Sequence, residues 1–104
     1  MRLPPALAAS ATTAILELLP APPARVLEVG FAGIHAEPLR LAGYEVVVVE
    51  LDPAHLERAR QRAGEVLTRV PRDAFDAVVA PEGLDVPPAP RVLLVRQDGS
   101  VACS

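Results

Sequence analysis

The sequence predicts an α/β fold: a three-layer, doubly wound, mostly parallel sheet of about five or six strands. The whole chain, residues 1–104, is expected to form a single domain. Three observations carry this expectation. Arg25 to Val29 is a short apolar run broken by Gly30, as in a buried parallel strand. Glu45 to Leu51 contains four consecutive valines, the composition of a strand buried on both faces. A helical pattern over 53–63 follows directly, so strands and helices alternate along this half of the chain.

Composition limits the function classes. Half of the residues (51%) are hydrophobic, enough for one core in a domain of this length. Aromatics are only 3%, so that core is aliphatic and lacks the stacking platforms that single-stranded nucleic acid needs. A net charge of −3 argues against non-specific DNA or RNA binding. All ten basic residues are arginine, a bias that a GC-rich genome or a heat-adapted source would each give. One cysteine, Cys103, excludes an internal disulfide framework. No apolar stretch is long enough to span a membrane. Pro4, Pro5 and Glu17 interrupt the Ala-rich N-terminus that a signal peptide would use, and a cytoplasmic location is expected.

In chain order, residues 4–19 read as a helix, with Pro4 and Pro5 at its entry and Pro20 ending it. Leu7, Ala11, Ala14 and Leu18 would form its apolar stripe against the sheet. Ala21-Pro22-Pro23 is a stiff connector to the strand at 25–29. Gly30 and Gly33 bracket a tight turn where backbone approaches a ligand without a Cβ in the way. A helix starting near Ile34 or His35 puts Pro38 in its first turn, and its free amides are placed to meet an anionic or polar group. The valine strand then ends on Glu50, twenty residues after Gly30, so turn and carboxylate can face one crevice.

Asp52 as N-cap, Pro53 in the first position and Gly64 at C′ delimit the helix at 53–63. Leu56, Ala59 and Ala63 make its apolar face, and Arg58, Arg60 and Arg62 read as solvated. His55, in the first helical turn, reads as a surface residue, and His35, isolated in the glycine turn without a nearby carboxylate partner in sequence, as structural. Two histidines and a distant cysteine make no metal-site spacing. Glu65 to Val70 fits either a short third strand or a frayed helical extension. Residues 75–80 and 91–95 read as further strands, joined by the proline-rich connector 84–90. Gln97-Asp98-Gly99 is a turn, and Ser100 to Cys103 a short returning strand.

VLEVGFAG followed by GYEVVVVELDPAHLERAR resembles the nucleotide-binding half of the Rossmann-like S-adenosylmethionine (SAM)-dependent methyltransferases. Glu28 and Gly30 match the opening of that family's first motif, an acid-x-Gly-x-Gly-x-Gly turn, and Glu50 matches its second acid. Ala32 stands at the second glycine and Ile34 near the third, and the helix before Gly43 is short. The match is good over 25–63, weaker over 75–83 and poor elsewhere. The resemblance implies a reduced methyltransferase fold with SAM as cofactor. It implies cofactor binding by Glu28, Gly30, Ala32, Gly33, Glu50 and Leu51, with Glu28 toward the amino group. An adenine-binding acid is expected after the third strand, where Asp73 is the available substitute in an unconvincing register. Pro81-Glu82-Gly83 falls where the family places residues near the methyl acceptor, which leaves two readings of Glu82: the one candidate for proton handling, or an exposed loop carboxylate, with the catalytic residue unknown. The Asn-Pro-Pro-Tyr type segment of amino-methyltransferases is absent.

Two other readings stay open. The chain fits a degenerate, non-catalytic domain that packs against a partner protein or a second copy of itself. An NAD-type binder is the weaker alternative, because Ala32 and His35 occupy the second and third glycine positions of its G-x-G-x-x-G turn. A carboxylate two residues before Gly30 would also repel a pyrophosphate. The expected ligand is a small nucleotide, and the methyl acceptor is not legible.

Overall fold

We describe residues 3–104 from a computed structural model. The elements run α1 (Pro5–Leu18), β1 (Arg25–Val29), α2 (Ala36–Leu41), β2 (Glu45–Val49), a 3-10 turn (Pro53–His55), α3 (Leu56–Ala63), β3 (Val66–Leu67), β4 (Ala77–Pro81), β5 (Arg91–Val95) and β6 (Val101–Cys103). They form one six-stranded sheet of order β3-β2-β1-β4-β5-β6, parallel except for β6. β1 lies between β2 and β4, in register from Arg25↔Glu45 to Val29↔Val49 on one side and Val26↔Ala77 to Glu28↔Val79 on the other. The order reverses direction at β1, and such a reversal opens a crevice outside the carboxyl ends of the strands. The chain is thus an α/β protein with a mostly parallel sheet, compatible with a Rossmann-like fold.

Alternation along the strands gives the sheet two apolar faces. Val26, Val46, Val48, Ala77, Val79, Leu93 and Val95 share one cluster with Ala11 and Ile15 of α1, Ala36 and Leu39 of α2, and Ala59 and Ala63 of α3. Leu27, Val29, Val49, Val78 and Ala80 face the other way and meet Phe75, Val70, Leu84, Val86 and Ala89, all from loops. The expected third layer is therefore corrected: the described helices lie on one face, and connections without helix cover the second. The reason is chain length. The nine residues at 68–76 and nine at 82–90 are shorter than the roughly 10–12 that a crossover containing a helix needs. Pro87, Pro88 and Pro90 remove backbone donors from the second of them as well.

Local chemistry explains the remaining elements. Asp52 caps the turn into α3 by accepting from the Ala54 amide at 2.9 Å. Gly64 ends α3 at φ 78°, in the left-handed region that favours glycine. The apolar stripe of α1 is Ala8, Ala11 and Ile15 rather than Leu7, Ala11, Ala14 and Leu18. Ile15 is fully buried with Ala11, and Leu16 and Leu18 pack only partly buried against the same cluster. Segment 65–70 resolves into the two-residue strand β3, paired with Val48 and Val49. Arg40 ties the helical layer together, donating to the carbonyls of Ala63 at 2.7 Å and Val46 at 3.1 Å.

Candidate functional site

The crevice is built on the turn that leaves β1. Gly30, Ala32 and Gly33 all have positive φ, of 85°, 52° and 72°. Gly30 is tight against β4: besides its positive φ, a Cβ there would stand 3.1 Å from the ring of Pro81 at the end of that strand. A Cβ on Gly33 would stand 3.0 Å from Ala63 Cβ and 3.4 Å from the Ala59 carbonyl. The turn is thus pressed between β4 and α3, and the alanines of α3 are small where it touches them. Ala32 adopts the left-handed conformation although it has a Cβ, which costs about 1–2 kcal/mol.

Two carboxylates hold this turn, one from each neighbouring strand. Glu50, following β2 and 5% exposed, accepts from the Ala32 amide with Oε1 at 3.0 Å. Its Oε2 accepts from the Asp52 amide, also at 3.0 Å. Glu28, on β1 and wholly buried, accepts from the His35 amide through Oε2 at 2.8 Å. Glu28 Oε1 has no hydrogen-bond partner among the described residues. Burial without a counter-charge at contact distance pushes the Glu28 carboxyl up to about 7. The His35 amide and the Arg40 charge act against that rise without cancelling it.

His35 completes the buried group. Its Nδ1 lies 2.7 Å from Thr12 Oγ1 of α1, and its ring meets Phe31 edge-on at 4.8 Å between centroids. Nε2 is buried without a partner among the described residues, and burial lowers the imidazole to about 4. A neutral His35 therefore fastens α1 to the turn, in keeping with its structural reading.

Above the turn is a cleft of about 410 Å³, within the range of small-molecule sites. Ala8, Ala9 and Thr12 of α1 form one wall, the turn at Gly30–Ala32 the floor, and Glu50, His55, Arg58 and Arg62 the opposite side. A shallower depression of about 400 Å³ shares Gly30, Glu50 and His55, and extends past Leu51 to Glu82 and Gly83. Glu50 thus stands where the two depressions meet, at the carboxyl ends of β1, β2 and β4.

The structure brings Gly30, Ala32 and Glu50 to the cleft and keeps Glu28 beneath its floor. Gly33 borders a separate surface groove with Arg62, and Leu51 is half exposed beside Glu50. Glu82 is exposed and paired with Arg96 at 3.1 Å. Asp73 is not an adenine acid: it pairs with Arg25 at 3.1 Å, at the start of β1 and so at the opposite end of the strand from the crevice. Arg25 also stacks 4.6 Å over the Phe75 ring, which anchors the 68–76 connection. The sequence reading missed Thr12, His55, Arg58 and Arg62 as cleft residues. The spacing of positions 55, 58 and 62 was the available signal, since residues three and four apart share a helix face.

No known protein-family profile matches the chain, and no curated protein shows significant similarity to it. Among the described residues no helix is long and apolar enough to cross a membrane.

Proposed function

We propose that this chain is a minimal methyltransferase-like domain that binds SAM across the carboxyl ends of β1 and β2. The observation that supports this best is the placement of Glu50, a nearly buried carboxylate ending β2 against the glycine turn that follows β1. Each Glu50 oxygen accepts one backbone amide and retains a second lone pair. Glu50 therefore has acceptor capacity left for two ribose hydroxyls. The turn floors a cleft of suitable size, and Ala32 narrows it where a dinucleotide fold would place glycine. SAM supplies an already activated methyl group, so the protein's part is to bind, orient and exclude water. Glu82, engaged by Arg96, favours ligand binding over proton transfer as the property to test first.

A second reading has its own support. Both Glu50 oxygens already satisfy backbone amides, so this carboxylate also serves as a latch in a domain that carries no ligand. Thermal unfolding with SAM, S-adenosylhomocysteine and NAD separates the two. At about a hundredfold excess over the dissociation constant, a bound ligand adds roughly 2.7 kcal/mol, which is several degrees of melting temperature for a domain this size. The SAM reading expects a larger shift from SAM or S-adenosylhomocysteine than from NAD. No shift from any of them at millimolar concentration selects the structural scaffold, and a shift from NAD alone selects a dinucleotide ligand.

A further inference from the structure

The cleft is lined by a guanidinium that has no ion-pair partner among the described residues. Arg25 and Arg96 have carboxylate partners, and Arg40, Arg62 and Arg91 donate to backbone carbonyls. Arg58, Arg60, Arg69 and Arg72 have no polar partner among the described residues. Three of these four are exposed; Arg58 alone is half-buried, and it lines the cleft. Arg62, one helical turn further on, borders the same cleft, and like charges at this spacing repel. His55 lines it as well, with Nδ1 buried and unpartnered among the described residues. No carboxylate lies within ion-pair distance of Arg58, although Glu50 opens on the same space. The cleft is therefore lined by both a hydrogen-bond acceptor, Glu50, and a guanidinium, Arg58, that pairs with no carboxylate among the described residues.

We propose that Arg58 holds an anionic group, a carboxylate or a phosphate, on a ribose-bearing ligand whose hydroxyls lie on Glu50. The proposal rests on the nucleoside reading above for Glu50, but on the cleft's own charge for Arg58. A guanidinium pairs with either anion in a two-pronged geometry that a lysine would not match. An anion between Arg58 and Arg62 would also relieve their mutual repulsion.

The test measures affinity by calorimetry for the parent, Arg58→Gln and Arg60→Gln. Arg60→Gln removes the same charge from the exposed face of α3. Four ligands are compared: S-adenosylhomocysteine and 5′-methylthioadenosine, which differ by the amino-acid end, and AMP and adenosine, which differ by the phosphate. The expected result is a loss of about tenfold or more for an anionic ligand in Arg58→Gln, with its neutral counterpart unchanged. Arg60→Gln should match the parent. A loss confined to S-adenosylhomocysteine assigns the anion as a carboxylate, and one confined to AMP assigns it as a phosphate. Equal losses in the two variants, or equal losses for anionic and neutral ligands, would overturn the proposal while leaving the nucleoside reading intact. If no nucleoside binds, that reading fails and inorganic phosphate decides about Arg58. At ionic strength matched with sodium chloride, phosphate should raise the melting temperature of the parent and Arg60→Gln but not of Arg58→Gln. Identical phosphate shifts in all three proteins, or none in the parent, would overturn the anion site.

Discussion

Glu50 Oε1 accepts a hydrogen bond at 3.0 Å from the amide of Ala32, which among the described residues is the one non-glycine with a left-handed backbone, at φ 52°. A charge-assisted hydrogen bond from β2 thus holds the β1 turn in a conformation its own residue disfavours. Ala32 and Glu50 both line the cleft, so stability and the proposed binding are coupled there.

Replacing Glu50 should show both effects. Glu50→Ala leaves the Ala32 and Asp52 amides without their acceptor and should cost about 2–3 kcal/mol in urea unfolding. Glu50→Gln keeps one acceptor oxygen and should fall between that variant and the parent. Affinity for S-adenosylhomocysteine should fall by roughly 1.5–3 kcal/mol in Glu50→Ala, where ribose hydroxyls lose a charged acceptor. Calorimetry giving equal affinity for parent and Glu50→Ala would remove Glu50 from the ligand contacts.

Ala32→Gly should go against the usual sign for a buried alanine. Glycine gives up about 0.5–1 kcal/mol to chain entropy, but it releases about 1–2 kcal/mol of left-handed strain. Stability equal to the parent or up to about 1 kcal/mol higher is expected. A loss above about 1 kcal/mol in urea unfolding would mean that the Ala32 methyl packs more strongly than its backbone is strained.

Gly33→Ala should destabilise more than Gly83→Ala. Both positions have positive φ, so both variants carry about 1–2 kcal/mol of backbone strain. At Gly83 a new Cβ meets nothing within 4 Å, whereas at Gly33 it meets Ala63 Cβ at 3.0 Å. Crowding of this kind adds about 1–3 kcal/mol. Paired urea titrations giving equal losses would show that α3 moves aside freely.

The buried pair Glu28 and His35 predicts a pH dependence that the parent conceals. Glu28 has its folded value raised from 4.5 to about 7, so its contribution is full at low pH and is lost as pH rises through that window. His35 is lowered from 6.5 to about 4, so its contribution is lost as pH falls through 6.5 toward 4. From pH 4.5 to 6.5 the folded state has gained a proton at Glu28 and shed one at His35, and the two slopes oppose. Stability relative to the parent isolates each group, because exposed carboxylates then cancel. The loss caused by Glu28→Gln should shrink as pH rises from 4.5 to 7, and that caused by His35→Gln should grow from pH 4 to 6.5. Each slope is at most about 1.4 kcal/mol per pH unit. Losses independent of pH in both variants would place these groups in more hydrated surroundings than the structure shows.

Much of the fold was legible because its signals are local. The apolar run at 25–29, the valines at 46–49 and the Asp52–Pro53 helix start each depend on neighbours in sequence, and all three elements formed where expected. The two-residue β3 was ambiguous because its strand character comes from pairing with Val48 and Val49, not from its own residues. The missing third layer was also implicit, in connections too short for a helix, but the resemblance to a larger family obscured it.

The sequence by itself determined that glycines and acids recur where two strands end, because strand length, turn chemistry and residue spacing are one-dimensional. Which carboxylate reaches the cleft was decided only by the tertiary structure. Glu28 alternates onto the helix-covered face and is sealed under the turn, whereas Glu50 lies just beyond β2 and opens on the crevice. The same holds for the arginines of α3. Positions 58, 60 and 62 look alike in sequence, and only the docking of α1 across the turn makes a cleft wall of Arg58 while leaving Arg60 in water. Burial is a property of what packs opposite a residue, and for this site that partner lies more than forty residues away along the chain.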